Sequence, residues 1–231
     1  MSVSAIIVAA GKGRRMNSSK PKQFLRIGNK PILAHTIDVF ETSPVVSEII
    51  LVVGSPMLDY ARRSIVAKNG FKKVKDIVAG GKLRQDSVYN GLKNISRDCS
   101  IVLIHDGVRP FITHAMIRNV VGGAKRHKAC IFALPVKETV KKVTRGGIVR
   151  QTLNRDELVL VQTPQAFRYD VIMKAYEKAT RKKICATDDA MIAEKAGVKV
   201  KVLPGRRENI KITTPDDLIF ASCILPGGKR I

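Results

Sequence analysis

The stretch AIIVAAGKGRRM, residues 5–16, decides how the rest of this sequence is interpreted. Its first half is a short, continuous apolar run, which predicts a buried β-strand. The following Gly11-Lys12-Gly13 predicts a tight loop whose backbone N–H groups approach a phosphate closely, because glycine has no side chain to block them. Arg14, Arg15 and Lys22 add the positive charge that a polyphosphate needs. We therefore expect a nucleoside triphosphate to bind at this loop.

The loop differs from two better-known phosphate-binding loops. A Walker loop ends in Gly-Lys-Ser or Gly-Lys-Thr, and this chain lacks that ending. The dinucleotide fingerprint requires a third glycine where this chain has Met16. A Gly-x-Gly pair also forms ordinary tight turns between a strand and a helix, so the flanking cations carry most of the argument.

Composition bounds the class of protein. The chain has 231 residues, of which 45% are hydrophobic, enough for one large or two small globular domains. Its apolar runs are too short for a membrane helix, and its N-terminus does not resemble an export signal. The four cysteines are far apart and match no zinc spacing. We expect a cytoplasmic protein with reduced thiols.

The net charge of +23 is extreme and has several interpretations. Nucleic acid, an anionic membrane or a phosphorylated small substrate would each suit a basic protein, as would a merely solvated basic surface. The cations are scattered along the chain rather than gathered in a tail. Aromatic residues make up 5% and tryptophan is absent, which makes a base-stacking platform a poor prospect. We expect no nucleic acid and no membrane among the partners, and a basic nucleic-acid-binding α/β protein is the remote alternative.

Strand-like and helix-like segments alternate along the chain. Near-continuous apolar strands separated by helices predict an α/β fold: a Rossmann-like, mostly parallel sheet with helices on both faces. No linker divides the chain, so we expect a single domain over residues 1–231. The predicted strands cover 4–10, 48–53, 77–78, 101–104, 129–135 and 198–203, and the predicted helices cover 31–42, 58–69, 86–95, 114–127 and 169–181, with further helices starting at Thr187 as N-cap and at Thr214.

Residues 137–154 break the alternation. They predict a β-hairpin that turns at Gly146-Gly147. The segment is rich in cations and poor in apolar residues, so it could hardly bury itself alone. We expect it to project as an arm and to pack on a second copy of the chain.

Two further loops follow predicted strands and should reach the same edge of the sheet as Gly11. In the first, Asp106 could hold Mg²⁺, order a neighbouring cation or cap a helix, and Arg109 could bind a phosphate. His105 could be a general base, although a structural role is the more usual one for a lone histidine. In the second, Gly80-Gly81 and Ser87 could contact a nucleoside base or ribose, or simply cap a helix.

The candidate chemical groups are almost all cations. Phosphoryl or nucleotidyl transfer suits such a set, because the attacking phosphate is already ionised. The protein then has to position the reactants and neutralise charge in the transition state.

Taken together, the motifs resemble one family over residues 6–225. The chain resembles the 2-C-methyl-D-erythritol 4-phosphate cytidylyltransferases of isoprenoid precursor synthesis. The resemblance rests on AAGKGRRM (9–16), PKQF (21–24), GGKLRQDSV (80–88), HDGVRP (105–110), PVKET (135–139), TPQAF (163–167), TDDA (187–190) and NIKITTPDDL (209–218).

The resemblance implies a reaction and roles for residues. CTP and the methylerythritol phosphate would give the CDP-alcohol and pyrophosphate, with Mg²⁺, in a homodimer whose arms interlock. Arg15 and Lys22 match the transition-state stabilisers, and Arg155 and Lys211 match the residues that position the acceptor phosphate. The other matching positions are substrate-pocket residues, with Arg155 and Thr139 acting in the partner's site: Ala9, Ala10, Gly11, Gly13, Gly81, Ser87, Asp106, Arg109, Thr139 and Thr163.

The sequence departs from the family pattern at two positions. Val8 stands where many members have proline, and Val108 where many have a small residue. Val108 with Phe111 also resembles the related ribitol 5-phosphate cytidylyltransferases. Residues 9–11 and 205–211 look more like the methylerythritol enzymes, which makes the methylerythritol phosphate the favoured acceptor and ribitol 5-phosphate the alternative.

Overall fold

The structure, a computed structural model, describes residues 2–11, 13–16 and 20–225, without the side chain of Arg14. Lys12 and the Arg14 guanidinium, both expected near a phosphate, therefore lie outside the described residues. The strands of the described part are β1 (Ser2–Ala9), β2 (Arg26–Ile27), β3 (Lys30–Pro31), β4 (Glu48–Val53), β5 (Val74–Ala79), β6 (Cys99–Asp106), β7 (Ala129–Pro135), β8 (Lys141–Val143), β9 (Val149–Thr152), β10 (Val159–Arg168) and β11 (Lys201–Pro204).

Helices alternate with most of these strands. No helix within the described ranges is both long and apolar enough to cross a bilayer. The α-helices are α1 (Ile32–Glu41), α2 (Leu58–Tyr60), α3 (Arg84–Leu92), α4 (His114–His127), α5 (Tyr169–Arg181), α6 (Asp189–Lys195) and α7 (Pro215–Ile224), and α2 continues into a π-helical segment, Ala61–Ala67.

The central sheet has seven strands in the order β11-β7-β10-β6-β1-β4-β5. All neighbouring pairs are parallel except those made by β10, which runs antiparallel to both β6 and β7. The expected mostly parallel α/β sheet is thus confirmed. The carboxyl ends of β1, β5 and β6 meet at one edge, which brings the three predicted loops together.

Alternate residues of the central strands pack into two separate cores, because successive side chains of a strand point to opposite faces of the sheet. Ile7 and Leu103 face a core formed with α1 and α4, whereas Ile6 and Val102 face a core formed with α3, α5 and α6. The strands are therefore buried on both faces, which is why their sequences read as continuous apolar runs.

Strand β10 was not predicted from the sequence. Its middle carries Pro164, which cannot donate to a sheet ladder and argues against a central strand. The structure accommodates the proline at an irregularity in the β7 pairing, between Gln162 and Gln165. Either side of it, β10 pairs along most of its length, so a strand of ten residues lies between β6 and β7.

Two helix starts were predicted from capping residues, and one was wrong. Thr214 caps α7, and the carboxylate of Asp217 accepts a hydrogen bond from the Thr214 backbone N–H at 2.8 Å. Thr187 does not cap α6: the N-cap is Asp188, whose carboxylate accepts from the Met191 N–H at 2.9 Å. Both residues are good N-caps, and the chain enters the helix one residue later than predicted.

The predicted arm is a hairpin of β8 and β9 that turns through Gly146-Gly147. Gly147 has φ +80°, which favours glycine there. The arm leaves Val143, Ile148 and Val149 exposed, and 71% of Ile148 is accessible to solvent.

Candidate active site

Two neighbouring cavities open at the sheet edge where β1, β5 and β6 end. The first, of about 200 Å³, lies between the glycine loop and the start of α3. The second, of about 300 Å³, lies beside β10 and the start of α6. The first cavity is lined by eight residues proposed from the sequence, Ala9, Ala10, Gly11, Lys22, Gly81, Ser87, Asp106 and Lys211. The second is lined by four, Asp106, Arg109, Thr163 and Lys211.

The glycine loop is bound closely to the PKQF segment. Gly13 has φ +65°, and a Cβ there would lie 3.2 Å from the Lys22 backbone nitrogen, so this position requires glycine. The buried side chain of Gln23 donates to the Ala9 carbonyl at 2.6 Å. Phe24 packs edge-on against Tyr60 at 4.9 Å between ring centroids. These contacts place Lys22 beside the end of β1.

Lys22 has a perturbed pKa. Its ammonium donates to the Ile212 carbonyl at 3.0 Å. Burial, followed by repulsion from Lys211, lowers the pKa of Lys22 to about 8, and Arg15 adds to the repulsion. Arg15 itself is exposed and does not line either cavity. Cations crowded around a lysine whose pKa is lowered indicate a place where a polyanion binds.

Asp106 ends β6 and is surrounded by cations. Its carboxylate lies 2.9 Å from the Lys211 ammonium, 3.3 Å from Arg84 Nε and 3.6 Å from Arg109 Nε. Burial alone would raise the pKa of Asp106, but the attraction of Arg84, Lys211 and Arg109 holds it well below its usual range. Asp106 therefore stays ionised and orders its cationic neighbours, and it caps no helix among the described residues.

His105 is fully buried beside this cluster. One ring nitrogen lies 3.1 Å from the Arg109 carbonyl and the other 3.0 Å from the Thr163 hydroxyl. Burial lowers the pKa of His105 to about 4. The Thr163 hydroxyl also accepts from the Asp106 N–H at 3.1 Å, so this histidine holds β6 against β10. The contacts agree with a structural role.

The segment that carries Lys211 is attached to the site by its backbone. The Ile212 N–H donates to the Val108 carbonyl at 2.9 Å. Arg109 donates to the Asn209 carbonyl at 2.7 Å, and the Asn209 amide donates to the Thr163 carbonyl at 2.9 Å. Arg109 is thus mostly engaged with protein groups rather than open to a phosphate.

The turn before α3 forms the opposite wall of the first cavity. The Gly81 N–H donates to the Ser87 hydroxyl at 3.1 Å. A Cβ on Gly81 would lie 2.3 Å from the Asp86 Cβ, which excludes any other residue without movement of the turn. Asp86 closes the turn by accepting from the Leu83 N–H at 2.9 Å.

Sequence reasoning missed several residues that line the cavities. Arg84 lines both, and Thr187 and Asp188 line the second with Gln162 and Gln165. Arg84 belongs to the GGKLRQDSV motif, and Thr187 and Asp188, which precede α6, belong to the TDDA motif, so their signal was present. Nothing in their spacing indicates that Arg84 reaches Asp189 across 105 positions.

Four of the proposed site residues, Gly13, Arg15, Thr139 and Arg155, line neither cavity of their own chain. Thr139 is exposed on the arm segment, and Arg155 is exposed directly after it. The Arg155 guanidinium donates to the Lys137 carbonyl at 2.7 Å, which holds it at the base of the hairpin.

The described residues contain no cluster of three or more acidic, histidine or cysteine side chains able to hold a metal ion. Asp106 lines both cavities and both of its oxygens contact cations, whereas Asp188 lines the second cavity and accepts from the Met191 N–H and the Gln165 amide. The contacts of Asp106 with these cations would have to break before its carboxylate could bind a metal ion.

A mostly parallel α/β sheet whose strand ends form two adjoining cation-lined cavities, one of them beside a glycine loop, is typical of enzymes that bind nucleotides. The chain matches the family model described as 2-C-methyl-D-erythritol 4-phosphate cytidylyltransferase over residues 3–226. It belongs to this family, and so is a cytidylyltransferase.

Individual proteins of this family are similar to the chain over nearly its whole length. The 2-C-methyl-D-erythritol 4-phosphate cytidylyltransferase of Alkaliphilus oremlandii is 53% identical over 96% of this chain and 94% of its own length. That of Clostridium acetobutylicum is 47% identical over 96% of each. Among solved structures, the 4-diphosphocytidyl-2C-methyl-D-erythritol synthase of Anaerococcus prevotii aligns with a TM-score of 0.83 and 36% identity, over 95% of this chain and 94% of the other.

Proposed function

We propose that this protein transfers the cytidylyl group of CTP to the phosphate of 2-C-methyl-D-erythritol 4-phosphate. A phosphate oxygen of the acceptor bonds to the α-phosphorus of CTP, the bond to the β-phosphate breaks, and pyrophosphate leaves. The observation that carries this assignment is the pair of adjoining cavities around Asp106 and Lys211, in a chain 53% identical to a relative of that name.

We assign CTP to the first cavity. Ala9 ends β1 there, and Ala10 and Gly11 follow it, opposite the turn at Gly81 and Ser87. Their short side chains leave room for a base and ribose. Gly13 keeps the loop close to Lys22, so that Lys22 and the nearby Arg15 neutralise charge on the α-phosphate as it builds up in the transition state.

We assign the acceptor to the second cavity. Lys211 lies at the boundary between the two cavities, with 40% of its side chain exposed, and is suited to hold the acceptor phosphate in line with the α-phosphorus. Asp106 orients Lys211, and Arg109 and Thr163 shape the cavity wall. Mg²⁺ would neutralise triphosphate charge, bound mainly to the phosphates themselves.

The active form in this proposal is a homodimer. The arm and the start of β10 expose an apolar surface that the chain itself leaves uncovered, made of Val143, Ile148, Val149, Val159, Leu160 and Val161. A second copy would cover this surface and bring Thr139 and Arg155 of one chain to the second cavity of the other.

The four cysteines are free thiols, which supports a cytoplasmic location.

A pyrophosphate-release assay tests the assignment. With CTP and Mg²⁺, release should depend on 2-C-methyl-D-erythritol 4-phosphate and be much slower with ribitol 5-phosphate at equal concentration. Faster release with ribitol 5-phosphate would reassign the acceptor. No release with either would contradict the proposed reaction.

A further inference from the structure

Asp189, in the TDDA motif, is a fully buried carboxylate beside the site. It is the first residue of α6 and lines neither cavity. The Tyr176 hydroxyl donates to it at 2.6 Å from α5, and Arg84 Nη1 donates to it at 2.9 Å from α3. A charge taken fully out of water requires such partners, and the pairing fixes their geometry in turn.

Arg84 connects this buried carboxylate to the reacting edge. Its Nη1 binds Asp189 while its Nε lies 3.3 Å from Asp106 Oδ1. Its remaining nitrogen, Nη2, is buried and has no hydrogen-bond partner within the described residues. Two carboxylates on different elements therefore hold the guanidinium, and the loss of either would leave it free to rotate.

The contacts continue to Lys211. The other oxygen of Asp106 binds the Lys211 ammonium at 2.9 Å. These contacts form an unbroken polar series from the buried Tyr176 on α5, through Asp189, Arg84 and Asp106, to the half-exposed Lys211 at the boundary of the two cavities.

We propose that Asp189 is a positioning residue for the reaction: by fixing Arg84 it orients Asp106, and through Asp106 it sets where Lys211 presents its ammonium to the acceptor phosphate. This inference rests on the proposed function and assigns a role to a motif that the catalytic description leaves unused.

Arg84, Asp106 and Lys211 line both cavities, but the second cavity is also lined by Asp188 and Gln165, which adjoin Asp189, so the larger effect should fall on the acceptor. The Gln165 side chain accepts hydrogen bonds from the N–H groups of Asp189 and Ala190, at 3.1 and 2.9 Å, and donates to Asp188. The start of α6, which lines the second cavity, is therefore continuous with Asp189. The turn beside the first cavity is closed instead by its own Ser87 and Asp86.

The test is the variant Asp189→Asn. Its amide keeps the size of the carboxylate and can still accept from Arg84 while donating to the Tyr176 oxygen, so it removes the charge and retains the shape. We expect kcat/KM for the acceptor to fall about tenfold or more, because small displacements of a positioned group reduce rates by up to about a hundredfold. The Kd for CTP, measured without acceptor, should stay within about threefold of that of the unsubstituted protein, since the groups assigned to CTP do not touch Asp189.

A double-mutant cycle with Arg84→Lys separates positioning from stability. Lysine keeps the charge but cannot bind two carboxylates with a fixed fork. If Asp189 acts through Arg84, the double variant should be no slower than Arg84→Lys alone. Glu48→Gln is the matched control: Glu48 is also buried, is bound by Ser4 and Ser96 at the far end of the sheet, and its loss should affect Tm but not kcat/KM.

Each outcome of these measurements either supports or overturns the role proposed for Asp189. An acceptor kcat/KM within twofold of the unsubstituted protein, or losses that add in the double variant, would overturn the inference. If Asp189→Asn does not fold, Tyr176→Phe takes its place in the same cycle, because it removes the hydrogen bond that orients Asp189. If the unsubstituted protein releases no pyrophosphate, the proposed function fails and this inference with it. An active protein with an unaffected variant overturns the inference alone.

Discussion

The Lys22 ammonium donates to the Ile212 carbonyl over 3.0 Å, although 190 positions separate the two residues. This contact joins the glycine loop at one end of the chain to the Lys211 segment at the other. It brings the ammonium groups of Lys22 and Lys211 close together, and the repulsion between them contributes to the lowered pKa of Lys22. Such crowding favours the arrival of a polyanion, which would relieve it.

A pH profile follows from this crowding. Lys22 must be protonated to stabilise negative charge, so kcat/KM for CTP should decline as the pH rises through about 8. Lys211→Gln removes the repulsion and should move the decline to higher pH, whatever the activity that remains. An unmoved decline would assign it to another group.

The lowered pKa of Lys22 also makes the free energy of unfolding depend on pH. Between pH 8 and the ordinary value of 10.5, the unfolded chain holds a proton on Lys22 that the folded chain has released. The contribution of Lys22 to the free energy of unfolding should therefore increase with pH across this window. Urea unfolding of the protein and of Lys22→Met at pH 7.5 and 10 would measure the difference, and a contribution that fell with pH would contradict it.

Arg15→Ala and Lys22→Ala should each reduce kcat by roughly a hundredfold, the usual effect of removing one donor to a charged transition state. Arg15 is exposed, so its variant should retain the Tm of the unsubstituted protein. The exposed Arg62, which lines neither cavity, gives the control Arg62→Ala, expected to have normal kcat and Tm. Near-normal turnover of either site variant at saturating substrate would remove that residue from the mechanism.

Gly81→Ala should weaken CTP binding and lower Tm. The added Cβ would lie 2.3 Å from the Asp86 Cβ, so the turn that forms one wall of the first cavity must move. Gly122→Ala is the matched change: it lies inside α4 with 3.8 Å to the nearest atom, and should stabilise the fold by up to about 1 kcal/mol. Calorimetric titration with CTP and thermal unfolding report both effects. An unchanged Kd for Gly81→Ala would place CTP elsewhere.

CTP with Mg²⁺ should raise Tm far more than ATP or GTP. The turn at Gly80, Gly81 and Ser87 stands close to Ala10, since a Cβ on Gly80 would lie 2.4 Å from the Ala10 Cβ, and this leaves less room for a purine than for a pyrimidine. Thermal shift with all four nucleoside triphosphates at equal concentration tests this. Equal shifts would contradict the cytidine assignment.

Mixing inactive subunits tests the arm. If Arg155 serves the partner's site, a dimer of one Arg155→Ala chain and one Arg15→Ala chain has one intact site and one doubly altered site. With random exchange half of the dimers are mixed, so about a quarter of the full activity should return. No recovery after demonstrated exchange would mean that Arg155 acts within its own chain.

The bounds of strands and helices that depend on residues close together in the sequence were predicted well. The predicted bounds of β4, α4 and β7 match the structure to the residue, because apolar runs and helix ends are local signals. The region over 58–69 was predicted as one plain helix, but it continues from α2 into a π-helical segment, a backbone variation that apolar spacing does not report.

The sequence by itself determined the parallel α/β class, the glycine loop and the set of cations, since each is a property of residues close together in the chain. The tertiary structure decided the position of β10, because a strand that contains Pro164 is specified by the edges of β6 and β7. It also decided that Arg84 and Lys211 meet at Asp106 and that Arg84 reaches Asp189. Those contacts span up to 105 positions, and a buried ion pair depends on the distance and burial of its groups, which no local pattern encodes.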